Sequence, residues 1–173
     1  LDIAFANAGV EAGDASVEDI SIDGWNNVIG VNQTGVMLTI QHAIRAMKNN
    51  PDGPTGSIIV NSSMNANRAM GNFVAYSVSK AAVVALTKSA AVHCGNKGYR
   101  IRVNAILPGV VETALITGLI DSAPDPAAAR AAYEGMSPLK RMARVEEISG
   151  LVAWLASDES SFVSGSEYVI DGA

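Results

Sequence analysis

Short continuous apolar runs alternate along the chain with longer segments in which apolar residues recur every three or four positions. The short runs are residues 1–6, 57–61, 101–107 and 166–170. Their length and continuity predict buried strands. The longer segments, which predict amphipathic helices, are residues 22–47, 73–93 and 145–156. Strands that alternate with helices in this way predict an α/β fold with a parallel sheet.

Residues 110–140 interrupt this alternation. They contain many alanines and several prolines, which favour a mobile excursion with short helices. No internal repeat or low-complexity tract divides the chain. We therefore expect residues 1–173 to belong to a single domain.

Composition narrows the class of protein. Hydrophobic residues make up 49% and charged residues 17% of the chain, which predicts a folded protein rather than a disordered one. A net charge of −5 gives no electrostatic reason to expect nucleic acid or an anionic membrane as a partner. No apolar run approaches the roughly 18–20 residues of a membrane span. A single cysteine and two histidines predict neither an internal disulfide nor a metal site. A cytoplasmic protein is expected.

Tyr76 and Lys80 form the most distinctive local pattern. A spacing of four residues on a helix places both side chains on one face. A phenol has an ordinary pKa of about 10. An ammonium group about 4 Å away contributes about 4 kcal/mol at an effective dielectric constant of about 20, or roughly three pKa units. The pair therefore predicts a general acid/base, although a buried tyrosine beside a surface lysine would give the same spacing.

Polar residues and glycines follow the predicted strands where each one ends. Ser63 follows the second strand and lies 13 residues before Tyr76, and Asn7 and Gly9 follow the first strand. Parallel α/β sheets gather ligand-binding groups at this edge. Each residue alone is also consistent with an ordinary turn. Asn32 lies inside the segment 22–47, where asparagine is mildly unfavourable in a helix; it either opens the helix and binds water or faces solvent.

Taken together, these residues resemble the short-chain dehydrogenase/reductase family over essentially the whole chain. Asn32, Ser63, Tyr76 and Lys80 match the catalytic tetrad of that family in order and spacing. Residues 6–9 match its Asn-Asn-Ala-Gly motif with Ala6 in place of the first asparagine, and residues 104–113 match the segment that holds the nicotinamide. The similarity is greatest to bacterial secondary-alcohol and hydroxysteroid dehydrogenases. It implies a Rossmann-like, doubly wound parallel sheet and an enzyme that interconverts a secondary alcohol and a ketone with NAD or NADP.

The resemblance also implies roles for individual residues. Tyr76 would be the general acid/base, Lys80 would lower its pKa and bind the nicotinamide ribose, Ser63 would orient the substrate, and Asn32 would hold a water in a proton relay. The cofactor contacts it implies are Asn7, Gly9, Tyr76, Lys80, Pro108, Val110 and Thr113. We expect the substrate pocket to include Met64, Met70, Phe73 and Leu115, with part of the 110–140 excursion as an apolar lid.

The chain departs from the family pattern at one point. No Gly-rich dinucleotide fingerprint occurs in it, and the residue that would choose between NAD and NADP is missing with it. The resemblance thus implies the C-terminal portion of the fold, without the first βαβαβ half. Residues 1–6 would then form an exposed apolar edge. We expect this portion alone to be inactive, and to aggregate or to bind no cofactor.

Other functions remain open at this stage. A 3-oxoacyl carrier-protein reductase uses the same chemistry, but Lys140, Arg141 and Arg144 are the only basic cluster that an acidic carrier could contact. An enoyl reductase would carry a tyrosine seven residues before the lysine, where this chain has Phe73. A non-catalytic dinucleotide-binding relative would typically have lost the tetrad. The resemblance further implies a homo-oligomer, a tetramer, that assembles through the helices at 22–47 and 73–93.

Overall fold

Four parallel strands, paired in sequence order, form the sheet in the computed structural model, which describes all of residues 1–173. They are β1 (Ile3–Ala6), β2 (Thr55–Asn61), β3 (Arg100–Pro108) and β4 (Glu167–Ile170). In the register, Ile3 lies opposite Ser57, Ile58 opposite Val103, and Ala105 opposite Glu167. The predicted parallel α/β architecture is confirmed.

Six α-helices connect and flank the strands. They are α1 (Ile22–Ile29), α2 (Val36–Met47), α3 (Val74–Asn96), α4 (Ala114–Asp121), α5 (Pro126–Gly135) and α6 (Val145–Ala156). The six residues between α1 and α2, Gly30–Gly35, form π-helical turns, so that the predicted helix at 22–47 is continuous but wider at its centre. Short 3-10 helices lie at Met64–Ala66 and Asp158–Ser160.

Both faces of the sheet are covered, as in a doubly wound fold. On one face α2 and α3 pack over the larger core, in which Met47, Val83 and Cys94 are fully buried. On the other face α6 contributes Leu155, which packs with Ile59 and Ile106. The side chains of alternate residues of β2 pack into the two cores, because successive side chains of a strand point to opposite faces. Each fully buried aliphatic side chain contributes about 1.5–3 kcal/mol.

Strand β1 is an apolar edge, as expected from the sequence. It pairs with β2 only, and Leu1, Ile3 and Phe5 are between 39% and 54% exposed. An edge strand with unpaired N–H and C=O groups can accept a further strand.

The excursion after β3 consists of α4 and α5, which pack against each other. Each begins with a side chain that caps its own first turn: Thr113 accepts from the N–H of Ile116, and Asp125 from the N–H of Ala128. A parallel bridge between Val111 and Ala143 closes the base of the excursion. None of the helices of the chain combines the length and apolar character that a membrane span requires.

Candidate active site

The carboxyl ends of β1 and β2 bring the predicted site residues to one edge of the sheet. The Nδ2 of Asn61, the last residue of β2, donates to the Oδ1 of Asn7, just after β1, over 2.7 Å. Ser62 and Ser63 follow directly and are buried. Because parallel strands end at the same edge, residues far apart in sequence meet there.

Tyr76 and Lys80 lie on one face of α3, as their spacing predicts. The Nζ of Lys80 lies 5.3 Å from the centre of the Tyr76 ring. The ammonium donates to the backbone carbonyl of Asn61 over 2.8 Å, and the lysine is only 3% exposed. A second bond joins the same helix to the sheet, since the Ser62 hydroxyl donates to the carbonyl of Lys80 over 2.7 Å. Ser62 therefore anchors the helix to the end of β2.

The expected lowering of the Tyr76 pKa by Lys80 is not what this structure shows. Burial of the phenol raises its pKa above the ordinary 10.0, the hydrogen bond with Ser63 lowers it, and the charge of Glu11 raises it further. Burial also lowers the pKa of Lys80 from 10.5 to about 8. The expectation failed because it placed two groups in a polar medium at about 4 Å, whereas both are desolvated here and the ammonium is directed at Asn61.

Ser63 lies between the end of β2 and the start of α3. Its side chain accepts from the N–H of Asn65 over 3.2 Å and so begins the 3-10 turn at Met64–Ala66. Its side chain also lowers the pKa of the Tyr76 phenol and so favours the phenolate. A hydroxyl beside a phenol, at the edge of the sheet where ligands bind, can polarise a substrate oxygen.

Asn32 occupies the π-helical turn, and its side chain is fully engaged. The Oδ1 accepts from the N–H of Val10 and the Nδ2 donates to the C=O of Val10, each over 2.8 Å. The Nδ2 also lies 3.3 Å from the Ser79 hydroxyl. Asn32 thus clamps the loop after β1 to the helix that follows it. Widened turns of this kind often occur at functional sites.

The residues at the strand ends fit a dinucleotide in three respects. A Cβ on Gly9 would lie 3.4 Å from the Nζ of Lys80 and 3.5 Å from the Oδ1 of Asn32, so glycine leaves the space above these groups open. The Oδ1 of Asn61 is buried without a hydrogen-bond partner, and such an atom normally finds one in a ligand or water. The buried ammonium of Lys80 adds a charged donor beside them.

The remaining cofactor candidates lie where β3 ends. Pro108 is buried as the last residue of β3, and the C=O of Val110 accepts from the N–H of Ala143 over 2.9 Å. The hydroxyl of Thr113 caps α4. These residues form an ordered segment at the same edge of the sheet as Asn7 and Ser63.

The predicted pocket residues fall into two groups. Met64, Met70 and Phe73 are half-buried on the segment that joins Ser63 to α3. Leu115 lies on α4 and is 67% exposed. Three of the four thus lie on the segment that leads to Tyr76, whereas Leu115 is largely exposed on α4.

Sequence reasoning missed two residues that organise the site. Asn61 holds Asn7 through its side chain and Lys80 through its carbonyl. Asp14 accepts from the backbone N–H groups of Ala75 and Tyr76 over 3.0 and 2.7 Å. The polar end of β2 could have suggested Asn61. No local pattern identifies Asp14, because it lies sixty residues before the helix that it contacts.

The chain is similar to known proteins over nearly its whole length. Residues 1–172 match the sequence model of a family described as enoyl-(acyl carrier protein) reductase. A crystal structure of a short-chain type dehydrogenase/reductase from Mycobacterium marinum superimposes with a TM-score of 0.85 at 39% identity, covering 99% of this chain and 64% of that one. The chain belongs to the short-chain dehydrogenase/reductase family.

Two curated relatives of this short-chain dehydrogenase/reductase resemble it over nearly its whole length. A cis-4-hydroxycyclohexanecarboxylate dehydrogenase from Sinomonas cyclohexanicum is 39% identical over 172 residues, which are 99% of this chain and 65% of the relative. A cyclohexanol dehydrogenase from an Acinetobacter species is 36% identical over 174 residues, covering 100% of this chain and 63% of the relative. The chain thus spans slightly less than two thirds of the length of these relatives.

Proposed function

We propose that residues 1–173 form part of a single Rossmann-type dehydrogenase domain that interconverts a secondary alcohol and a ketone with NAD or NADP. The supporting observation is the position of the buried Lys80 ammonium 5.3 Å from the centre of the Tyr76 ring, with Ser63 near enough to lower the pKa of the phenol. Tyr76 is the general acid/base in this proposal, and Ser63 orients the substrate oxygen. Membership of the short-chain dehydrogenase/reductase family and the names of the two relatives agree with this chemistry.

The direction of the Tyr76 pKa shift indicates which form of the phenol predominates at neutral pH. Because burial raises that pKa above 10.0, the phenol is protonated at neutral pH and can donate to a carbonyl oxygen during reduction. Oxidation of the alcohol needs the phenolate to accept the hydroxyl proton. We therefore expect oxidation to accelerate as the pH rises towards the phenol pKa, while reduction does not.

A bound nicotinamide supplies the carbon that accepts or donates the hydride. Asn7, Gly9, Lys80, Pro108, Val110 and Thr113 would hold it at the carboxyl edge of the sheet. The adenine end has no Gly-rich loop within these residues. We therefore propose that the 173 residues alone do not turn over substrate, and that activity belongs to a polypeptide that joins them to such a loop.

A hydroxylated cyclohexane ring is the substrate class that we favour. The names of both relatives specify alcohols on such a ring, and apolar Met64, Met70 and Phe73 follow Ser63 in this chain. An enoyl reductase is disfavoured by Phe73, because its ring carries no hydroxyl that could donate a proton. Cyclohexanol, cis-4-hydroxycyclohexanecarboxylate and an open-chain secondary alcohol, assayed with NAD and with NADP, measure this preference.

Substitution of Tyr76 by phenylalanine tests the proposal. It removes the hydroxyl and keeps the ring, so we expect kcat/KM to fall by about 10²–10⁴-fold while the affinity for the reduced cofactor, followed by its fluorescence, stays within about twofold. Tyr133→Phe, the same change on α5, is the matched control and should leave kcat/KM unaltered. Unchanged turnover of the Tyr76→Phe protein would exclude the proposed acid/base. A wild-type protein that binds the cofactor but turns over no alcohol would instead be a non-catalytic relative.

We also propose a homotetramer that assembles through α2 and α3. Leu38 on α2 and Val78 and Val92 on α3 are between 42% and 62% exposed, and exposed apolar side chains of these two helices are candidates for subunit contacts. Sedimentation equilibrium of the active protein measures the assembly. A monomer at all concentrations contradicts it.

A further inference from the structure

Helix α3 begins without a cap of its own. Phe73 is the residue at its start, and its side chain has no atom that accepts a hydrogen bond. The first N–H groups of any helix have no partner within the helix. Leaving such groups buried and unpaired costs about 1–3 kcal/mol each. The first turn of the helix that carries Tyr76 and Lys80 therefore depends on acceptors from elsewhere.

The loop after β1 supplies most of these acceptors. The N–H of Val74 donates to the carbonyl of Ala15 over 3.2 Å. The N–H groups of Ala75 and Tyr76 donate to the Oδ1 and Oδ2 of Asp14 over 3.0 and 2.7 Å. Only the N–H of Phe73 is satisfied nearby, by the carbonyl of Met70 over 3.1 Å. One carboxylate thus uses both oxygens on two successive amides of the helix.

The position of Asp14 is itself determined by the loop. Its N–H donates to the carbonyl of Glu11 over 3.0 Å, which closes a turn. Gly13 has a φ of +87°, a conformation that glycine adopts at little cost. The Oδ1 also accepts from the N–H of Ala15 over 2.9 Å. Bonds within the loop therefore support the orientation in which the carboxylate meets α3.

The contact reaches the proposed acid/base directly. Tyr76 is the third residue of α3, and it is its own backbone N–H that forms the shorter bond to Asp14. A carboxylate at this end of a helix also interacts favourably with the helix dipole. Loss of the carboxylate would release the first turn and let the phenol move relative to Ser63. A misplacement of about 1 Å at a reacting group can reduce a rate about 100-fold.

We propose that Asp14 is a positioning residue for Tyr76, which it holds at its distance from Ser63 by serving as the remote cap of α3. This inference rests on the proposed function. The same loop carries Asn7, Gly9 and Val10, and Val10 is clamped by Asn32. Asp14 therefore links the candidate cofactor contacts to the acid/base, so that the two keep a constant separation.

A graded series of variants, made in the active polypeptide, tests this role. Asp14→Asn keeps one carbonyl oxygen and presents an NH₂ group to the second amide, whereas Asp14→Ala removes both acceptors. We expect kcat to fall by about 10–100-fold for alanine and by an intermediate factor for asparagine, with the cofactor KM within about twofold. Asp19→Asn is the control, because it neutralises a carboxylate of the same loop that contacts Ser16 rather than α3.

Hydrogen exchange gives a readout that does not depend on activity. In Asp14→Ala the amides of Ala75 and Tyr76 should exchange at least about 10-fold faster, because their acceptor is gone, while those of Val83 and Val84 keep their protection. Unchanged exchange at Ala75 and Tyr76, or a folded alanine variant whose kcat stays within about twofold of the wild type, overturns the proposal. If Asp14→Ala does not fold, the same two criteria apply to Asp14→Asn. Undiminished turnover of Tyr76→Phe would refute the proposed function instead and leave the exchange result standing.

Discussion

Helices α3 and α5 show two ways of holding a helix in this fold. Helix α5 is held mainly by its own residues: Asp125 caps it, Pro126 occupies its first turn, and Arg130 pairs with Glu134 one turn later as well as with Glu112 outside the helix. Helix α3 is held from a distance. Asp14 caps its start, the carbonyl of Asn61 receives the ammonium of Lys80, and the Ser62 hydroxyl bonds to the Lys80 carbonyl.

The difference follows from where the helices lie. Helix α5 has no buried residue, so water can satisfy whatever its own side chains leave unpaired. Helix α3 carries ten buried residues, among them Ser79 and Lys80. Its polar groups must therefore find protein partners. The candidate catalytic residues Tyr76 and Lys80 thus lie on the helix whose position depends on contacts with the rest of the fold.

Among the effects of burying α3, the largest should be the change in the free energy of unfolding with pH that the Lys80 ammonium causes. Its pKa is lowered from 10.5 to about 8 in the folded protein, so its charge opposes folding fully below about pH 8. As the pH rises from 8 towards 10.5, the folded protein loses the proton first and becomes more stable, by up to roughly 3 kcal/mol. The raised pKa of Tyr76 acts in the opposite sense, because above pH 10 the unfolded chain ionises first.

Urea unfolding at about pH 7.5 and about pH 9.5 measures this effect. We expect the increase in the free energy of unfolding to disappear in Lys80→Met and to persist in Lys88→Met, a change at a half-exposed lysine of the same helix. The same pH dependence in the wild type and in Lys80→Met would show that the buried charge is not its source.

Gly24 tests how tightly the loop that carries Asp14 is held. A Cβ at this position would overlap the backbone carbonyl oxygen of Gly13, which cannot move without shifting Asp14. We expect Gly24→Ala to lose roughly 1–3 kcal/mol of stability and to expose the amide of Tyr76 to exchange. Gly118→Ala is the control, because a Cβ on α4 meets nothing within 4 Å, and it should gain up to about 1 kcal/mol.

Asp125 should give the smallest effect, confined to its own helix. Asp125→Ala removes the bond to the N–H of Ala128, and we expect it to cost about 1 kcal/mol with kcat within about twofold of the wild type. Thermal unfolding and steady-state kinetics measure the two quantities. A loss of kcat similar to that of Asp14→Ala would mean that the excursion and the candidate site are coupled, and that the contrast between the two helices is wrong.

Most of the fold could be predicted from the sequence, because periodicity is a local property. The helix Val145–Ala156 has the predicted bounds, and the strand predicted at 101–107 extends by one residue at each end. The spacing of Tyr76 and Lys80 correctly predicted a shared face. The π-helical turn at Gly30–Gly35 was foreseen only as a disturbance at Asn32, because local spacing does not reveal that Asn32 bonds to the distant backbone of Val10.

The candidate site was predicted less completely. Its polar members, including Asn61, could be read from the strand ends. The partners of Asn61 and Asp14 could not, because they lie 19 and 62 residues away. The predicted direction of the Tyr76 pKa shift was wrong for a related reason. Desolvation depends on everything packed around the phenol, and a spacing of four residues contains no information about that.

The sequence by itself determined the order of strands and helices, the faces that they bury and the set of polar groups at the strand ends. These follow from the alternation and identity of neighbouring residues. Only the tertiary structure decided which carboxylate caps the helix of Tyr76, where the Lys80 ammonium donates and which way the phenol pKa moves. Buried polar groups must be satisfied by whichever partners the folded chain brings within hydrogen-bond distance, and sequence separation does not limit that choice.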